Sequence, residues 1–445
     1  MKATLGKKSQ SLTPQQPLIV TENTKYYLLL FFSIGVMALA FLFQTPRELA
    51  EGMVTILTLS GILVTDYMEV TSIGAAFFNA GLLTLLSVLM IRSQKVDFTG
   101  PILATVFTIF GFSLFGKNLF NTVPITLGVY FYSKLEKTAF SDYLLVSLFG
   151  TALGPVVSTL AFGMDFPLLK GILIGYAVGI LIGLILPPLS KHYKSYHQGF
   201  NLYNVGFTTG IVGMIIMAVI SMFGGSVQTV SLISTGNNSL LGFITFAFCF
   251  ILLALGYYFN GMSFKGYQSI FKHSGQTGTD FLLHDGFGKT LINMALQGFI
   301  ATIYVLAVGG QLNGPVIGGI FTIIGFSAFG KHPHNCIPIF IGVYIASRIT
   351  AHDTSSTGVL LAALFGTTLA PISKHYGSVY GIIAGFLHLS LVSNVNFLHG
   401  GLNLYNNGFS GGFIAAILIP IYDAFLSIIE NLNLPYSQKK LSNKK

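Results

Sequence analysis

One stretch of this chain is written twice. Residues 107–130 read FTIFGFSLFGKNLFNTVPITLGVY and residues 321–344 read FTIIGFSAFGKHPHNCIPIFIGVY, with 15 of 24 positions identical at an offset of 214. Each copy is an apolar run, a polar break (GKNLFN or GKHPHN), and a second short apolar run carrying a proline. Neither arm reaches the ~20 residues needed to cross a bilayer core. Each copy therefore predicts a re-entrant hairpin or broken helix. Irregular backbone at membrane depth survives only where protein buries it or where it lines a wet cavity. The two breaks are the first candidates for a substrate site.

The membrane setting follows from charge density. Only 8% of residues are charged, 52% are apolar and the mean hydropathy is +0.73; a soluble domain carries about 25% charged residues. The longest polar stretches, 1–25, 260–285 and 431–445, are too short to be soluble domains. The net charge of +9 sits in short loops and tails. That is the pattern of cytoplasmic helix ends, and it predicts a bilayer partner and no nucleic acid. Trp is absent, which leaves Tyr for any interfacial belt. Cys249 and Cys336 lie in apolar surroundings and form no CxxC motif. The first 24 residues are polar, unlike a cleavable signal, so the run from Lys25 reads as a retained first helix.

The repeat extends beyond the hairpins. Thr65 and Asp66 recur as Thr279 and Asp280, Asn79 as Asn293, Gly100-Pro101 as Gly314-Pro315, and Pro155 as Pro371. Near the ends, HQGFNLYNVGF (197–207) recurs as HGGLNLYNNGF (399–409). Apolar runs at 25–43, 70–91, 143–162, 169–189 and 201–222 match runs at 241–259, 287–309, 357–373, 377–397 and 403–427. The stretch 53–65 is not counted, because its counterpart 267–279 is polar. The expected fold is an all-α polytopic membrane protein of ten transmembrane helices, five per half, plus one hairpin per half. Five crossings is odd, so the halves are expected to be inverted repeats. The loop charges agree. Lys2, Lys7, Lys8 and Lys25, then Arg92 and Lys95, Lys134 and Lys137, Lys191 and Lys194, Lys265 and Lys272, and the C-terminal lysines all fall on one side. Loop 223–240, which carries no charge, falls on the other, with Arg47 and Arg348 as exceptions. A parallel repeat would put that uncharged loop in the cytoplasm. The expected segments are a cytoplasmic tail (1–24), a first repeat (25–225), an extracytoplasmic linker (226–240), a second repeat (241–428) and a cytoplasmic tail (429–445).

Equivalent positions in such a protein are related by a pseudo-two-fold axis in the membrane plane, and substrates bind near the midplane where broken helices meet. The expected substrate-binding residues are therefore Lys117, Asn118 and Asn121 with Lys331, His332 and Asn335. A half-helix N-terminus with a lysine beside it favours an anion or carboxylate; alternatively each lysine snorkels to an interface. Asp66 and Asp280 are candidates for coupling, or plain helix caps. Asn79 and Asn293 either line a polar path or bond between helices. Asn201, Asn204, Asn403 and Asn406 form a second polar element that either breaks a helix or caps one. His332, His334 and Cys336 alternate in KHPHNC, but Asn118, Phe120 and Thr122 replace them in the first half, so no metal is expected. Neither HExxH nor a P-loop is present, and no cofactor is expected.

The doubled FGK(N/H)xxN–P–GVY and NLYNxGF elements resemble a bacterial integral membrane family carrying only a domain-of-unknown-function label. The resemblance covers nearly the whole chain and implies no substrate. Five spans plus a re-entrant element per half is also similar to the urea-transporter architecture, by analogy of fold alone. The urea-transporter signature of Leu, Pro, Phe and Asn is not recognisable, and the lysines do not suit a neutral solute path. The expected function is a secondary transporter or channel of the cell membrane, both termini cytoplasmic, moving a small polar or anionic solute between the hairpins. The hairpin tips are expected to meet near the midplane, and a homo-oligomer is allowed. The alternative is a membrane-embedded enzyme or assembly factor acting on a lipid-type substrate, which would gather its polar residues in one half.

Overall fold

The computed structural model describes residues 17–61, 65–227 and 231–433. The expected tails 1–24 and 429–445 therefore fall largely outside the described residues, as does part of the linker. The first half runs α1 (Glu22–Ala40), α2 (Pro46–Thr58), α3 (Tyr67–Val70), α4 (Ile73–Ser93), α5 (Gly100–Phe112), α6 (Leu119–Leu135), α7 (Leu144–Gly150), α8 (Gly154–Phe162), α9 (Leu168–Tyr193) and α10 (Asn204–Met222). The second runs α11 (Asn238–Phe259), α12 (Phe281–His284), α13 (Phe287–Ala307), α14 (Gly314–Phe326), α15 (Pro333–Ile349), α16 (Thr357–Gly366), α17 (Ala370–Tyr376), α18 (Ser378–Val395) and α19 (Asn406–Asn433). Among the described residues ten helical segments are long and apolar enough to cross a membrane, five in each half. This is a multi-pass membrane protein.

The two hairpins are α5–α6 and α14–α15. Pro101 and Pro315 start the inward arms in the first helical turn, where a missing N–H costs nothing. Helices α5 and α14 are buried along their whole length and pack on each other. A Cβ on Gly100 would meet Ala328 and Phe329, one on Gly325 would meet Ala104 and Phe107, one on Gly111 would meet Gly318, and one on Gly314 would meet the Leu114 carbonyl. As one partner number rises the other falls, so the two equivalent helices are antiparallel. The halves are inverted repeats, and the axis passes between Phe107 and Phe321, whose rings are 6.2 Å apart.

The expectation that the two tips meet is not met. Tip 1 (113–118) lies beside the start of α14, and tip 2 (327–332) beside the start of α5. Each arm is 13 residues, about 20 Å at 1.5 Å per residue. Because glycines let the arms slide past each other along that whole length, the tips overshoot and sit at opposite ends of the pair.

Two spans are broken, which the apolar runs alone did not reveal. A 3-10 turn at Thr151–Leu153 separates α7 from α8, and one at Thr367–Leu369 separates α16 from α17. The cause is written in the sequence. Pro155 and Pro371 each sit four residues after Thr151 and Thr367, and a proline ring clashes with the carbonyl four residues back and cannot donate to it. Helix α2 is 13 residues, too short to span, and its Ile56 carbonyl accepts a bond from the Asn118 side chain at tip 1.

Valine at Gly111 or Gly318 should destabilise the protein by about 1–3 kcal/mol through overpacking of α5 on α14. Alanine at Gly35, which has open space around it, should raise stability slightly through helix propensity. Thermal unfolding in detergent distinguishes the two outcomes.

Candidate functional site

Three pairs of irregular elements converge around the α5–α14 pair: the hairpin tips, the 3-10 breaks and the segments Asn201–Tyr203 and Asn403–Tyr405. The contacts are reciprocal between halves. Leu202 N donates to the Thr368 carbonyl, and Leu404 N to the Ala152 carbonyl. Each NLY segment thus fills the backbone of the opposite half's broken span, as buried polar backbone must be filled. Tyr203 N also donates to Thr368 Oγ1 at 3.0 Å, a bond that Ala152 cannot offer Tyr405.

Between the tips lies a layer of rings. Tyr203 and Tyr405 are 5.3 Å apart, Tyr405 is 4.6 Å from Phe112, and Tyr203 is 4.6 Å from Phe326. A lysine closes each end. Lys331 Nζ donates to Tyr203 Oη at 2.5 Å and to Thr367 Oγ1 at 2.7 Å, and lies 4.6 Å from the Tyr203 ring centre. Lys117 Nζ has a single, longer bond among the described residues, 3.3 Å to the Leu148 carbonyl, and lies 5.5 Å from the Phe112 ring centre. Leu148 O is available because the break after it starts at Thr151. Both lysines are fully buried, and no ion pair among the described residues includes either. A buried ammonium without a carboxylate beside it is costly, and a bound anion offsets that cost.

The other expected site residues mostly hold this frame in place. Asn79 Nδ2 donates to the carbonyls of Ser113 (2.7 Å) and Lys117 (2.9 Å), and Asn293 Nδ2 to those of Ser327 and Lys331 (both 2.7 Å). Asn118 and Asn121 cap α6 reciprocally, and Asn121 also donates to Gly116 O and Ser158 Oγ. Asn335 accepts from His332 N and donates to Gly330 O, while His332 Nε2 lies 3.1 Å from His273 O. Asp66 and Asp280 cap the short helices α3 and α12 and also reach into the opposite half. Asp66 Oδ2 accepts from Gly314 N (3.1 Å) and Ser234 Oγ (2.6 Å), and Asp280 Oδ2 from Gly100 N (2.9 Å). Asn201 accepts from Thr368 Oγ1 and donates to Gly408 O, Asn204 donates to Ser190, Asn403 accepts from Tyr405 N, and Asn406 pairs with His399. His334 stacks on Phe271 at 4.0 Å and Cys336 Sγ turns to Asn335, so the KHPHNC side chains point to separate partners.

A cavity of about 350 Å³ leads into the ring layer from the Asp280 end. Gly278 and Leu283 are exposed at its mouth, Thr99, Thr279 and Asn204 line its walls, and Tyr203, Tyr405 and Phe326 form its floor. Lys331 lies directly behind Tyr203 and Phe326. The residues equivalent to its three polar wall positions are more buried at the Asp66 end. Thr99 and Thr279 are half-buried, whereas Asn313 is 0% and Thr65 3% exposed; Asn204 is half-buried, whereas Asn406 is 3% exposed. At that end Ser234 and Leu232 of the linker bond to Asp66, with no counterpart at Asp280 among the described residues.

A family model described as a protein of unknown function, DUF1576, matches residues 45–222 and matches again at 259–424. The chain belongs to the DUF1576 family. The two matches fall one on each half, as the internal repeat requires. No curated protein and no solved structure matches the chain. In this DUF1576 chain, Tyr203, Tyr405, Thr151 and Thr367 are the site residues that the sequence reading passed over. The prolines one turn after each threonine were the available signal.

Leucine at Asn79 or Asn293 removes two bonds to tip carbonyls and should cost about 1–3 kcal/mol. Hydrogen exchange should quicken at tip 1 for Asn79→Leu and at tip 2 for Asn293→Leu. Unchanged exchange at the tips would remove the supporting role of these amides.

Proposed function

We propose that this DUF1576 member is a secondary transporter of the cytoplasmic membrane that carries a small anionic solute by alternating access. The observation that carries this reading is the asymmetry between equivalent residues of two inverted repeats. Three equivalent wall positions, Thr99, Thr279 and Asn204, are half-buried along a vestibule at the Asp280 end, while Asn313, Thr65 and Asn406 are buried at the Asp66 end. Inverted repeats give such a molecule two mirror-related states, reached when the halves exchange conformations around a fixed midplane site. The basic loops around Lys265 and Lys272 support a cytoplasmic open end in this reading, with both termini on that side.

In this reading the solute enters past Thr279 and Thr99 to the Tyr203–Tyr405 floor. Lys331 is the cation that receives it. Its ammonium now spends two donors on Tyr203 and Thr367, and a solute carboxylate or similar anion replaces the tyrosine hydroxyl. Tyr203 is then the gate residue, because its ring stands between the vestibule and the ammonium. Asp66 and Asp280 are the hinges on which each hairpin start is held, rather than proton carriers, since every oxygen contact they make among the described residues is to backbone N–H or to Ser234. A rearrangement that closes the Asp280 end must release Ser234 from Asp66 to open the other.

Two measurements test this. In proteoliposomes, Lys331→Met should cut uptake of the transported anion by about 10- to 100-fold, the worth of one charged hydrogen bond, while the protein stays folded. Separately, Thr279→Cys should react with a membrane-impermeant thiol reagent applied from the cytoplasmic side, and the equivalent Thr65→Cys should resist it from either side. Under turnover Thr65→Cys should become reactive from outside. Equal labelling of the two positions at rest, or normal uptake by Lys331→Met, would overturn the reading.

A further inference from the structure

Lys117 borders a second cavity, of about 470 Å³, that has nothing to do with the vestibule. It is a slot between α4 and α6, and it runs along α4 from Leu83 to Ser93, about 15 Å. Its mouth is flanked by Leu86, Leu89, Leu119 and Leu127, all exposed on the apolar outer surface. In a membrane that mouth faces acyl chains. Its walls are mostly Leu, Met and Val, with Ser87, Ser93, Thr122, Thr126 and Thr151 as hydroxyls. Ser87, Ser93, Thr122 and Thr151 donate to carbonyls three or four residues back. The strong donor left at the slot is the Lys117 ammonium, whose one bond among the described residues is the 3.3 Å contact with Leu148 O.

The second half shows what the slot looks like when it is filled. Leu83, Met90 and Thr126 correspond to Gln297, Tyr304 and Phe340 at the 214-residue offset. Tyr304 and Phe340 stack there with ring centres 4.7 Å apart. The lysine of that half is turned away to Tyr203 and Thr367. One half thus carries aromatic rings where the other carries a methionine, a threonine and a void beside an under-bonded cation.

We propose that the Lys117 slot binds a single-chain amphiphile with a carboxylate head, that is, a long-chain fatty acid taken from the bilayer. The carboxylate pairs with the ammonium of Lys117, whose flexible stem lets it swing from Leu148 O. The acyl chain lies along α4 among the leucines. The volume suits one ligand of drug size, and a two-chain phospholipid exceeds it. This inference needs only that the chain sits in a membrane, and it does not rest on the transport reading.

The test is photocrosslinking of the purified full-length protein in nanodiscs with a 16-carbon fatty acid carrying a diazirine in its tail. Labelled peptides should map to 83–93 and 119–127, and not to 297–307 or 333–341. Palmitate should compete at least tenfold better than hexadecanol. The double change Met90→Tyr with Thr126→Phe, which copies the filled half, should lower labelling at least tenfold. Lys117→Met should erase the preference for palmitate over hexadecanol, and Lys331→Met should preserve it. Thermal unfolding confirms that each variant is folded, and the filling variant decides alone if Lys117→Met is not. Equal competition by hexadecanol, competition by phosphatidylglycerol as strong as by palmitate, or labelling that survives the filling variant would each overturn the proposal.

Discussion

The contact between α5 and α14 is what the rest of the molecule depends on. Two buried, equivalent helices lie antiparallel at glycine distance, with Gly111 against Gly318 and Gly325 against Ala104. In lipid there is little hydrophobic gain from pressing helices together, so close backbone approach through small residues supplies the packing. That one contact sets the inversion of the halves and the position of each tip. It also places the start of each hairpin beside the tip of the other, where a single aspartate can hold both.

The irregular backbone of this protein is handled by exchange between halves. A proline breaks each of two spans, and the carbonyls released at the break are taken by the NLY segment of the opposite half. Asp66 and Asp280 treat the hairpin starts in the same way. Unfilled polar backbone at membrane depth costs several kcal/mol per group, so these reciprocal bonds are strong constraints on how the halves sit. They also make the ring layer a meeting point of both halves, with Lys331 from one held by Tyr203 from the other.

Much of this was legible in the sequence. Ten spans, two hairpins and the inversion follow from apolar run lengths, the GK breaks and the loop charges, because those signals are local and repeated. The capping reading of Asp66 and Asp280 also follows from their place at the start of apolar runs. Two things were not legible. The tips were expected to meet, but arm length says nothing of how far one arm slides along another. The spans 143–162 and 357–373 read as unbroken because their breaks, Thr-Ala-Leu and Thr-Thr-Leu, carry no charge; only the position of Pro155 and Pro371 betrays them. Tyr203 and Tyr405 were visible within the NLYN element, yet the amides around them drew attention first. Of the four amides, Asn204 lines the vestibule wall, while the two rings form its floor.

The reciprocal aspartates have a consequence for how such a chain arises. Gly100 N donates to Asp280 and Gly314 N to Asp66, so each half leaves the first N–H of its own hairpin to the other half. The NLY segments leave the same kind of debt at the breaks. A half on its own would complete its hydrogen bonding only by pairing with a second copy inserted in the opposite sense. The present chain is in that respect an antiparallel dimer made permanent by a tether. The tether also explains why the two ends differ: its Ser234 bonds at the Asp66 end, and a symmetric dimer has no such strap to break its equivalence.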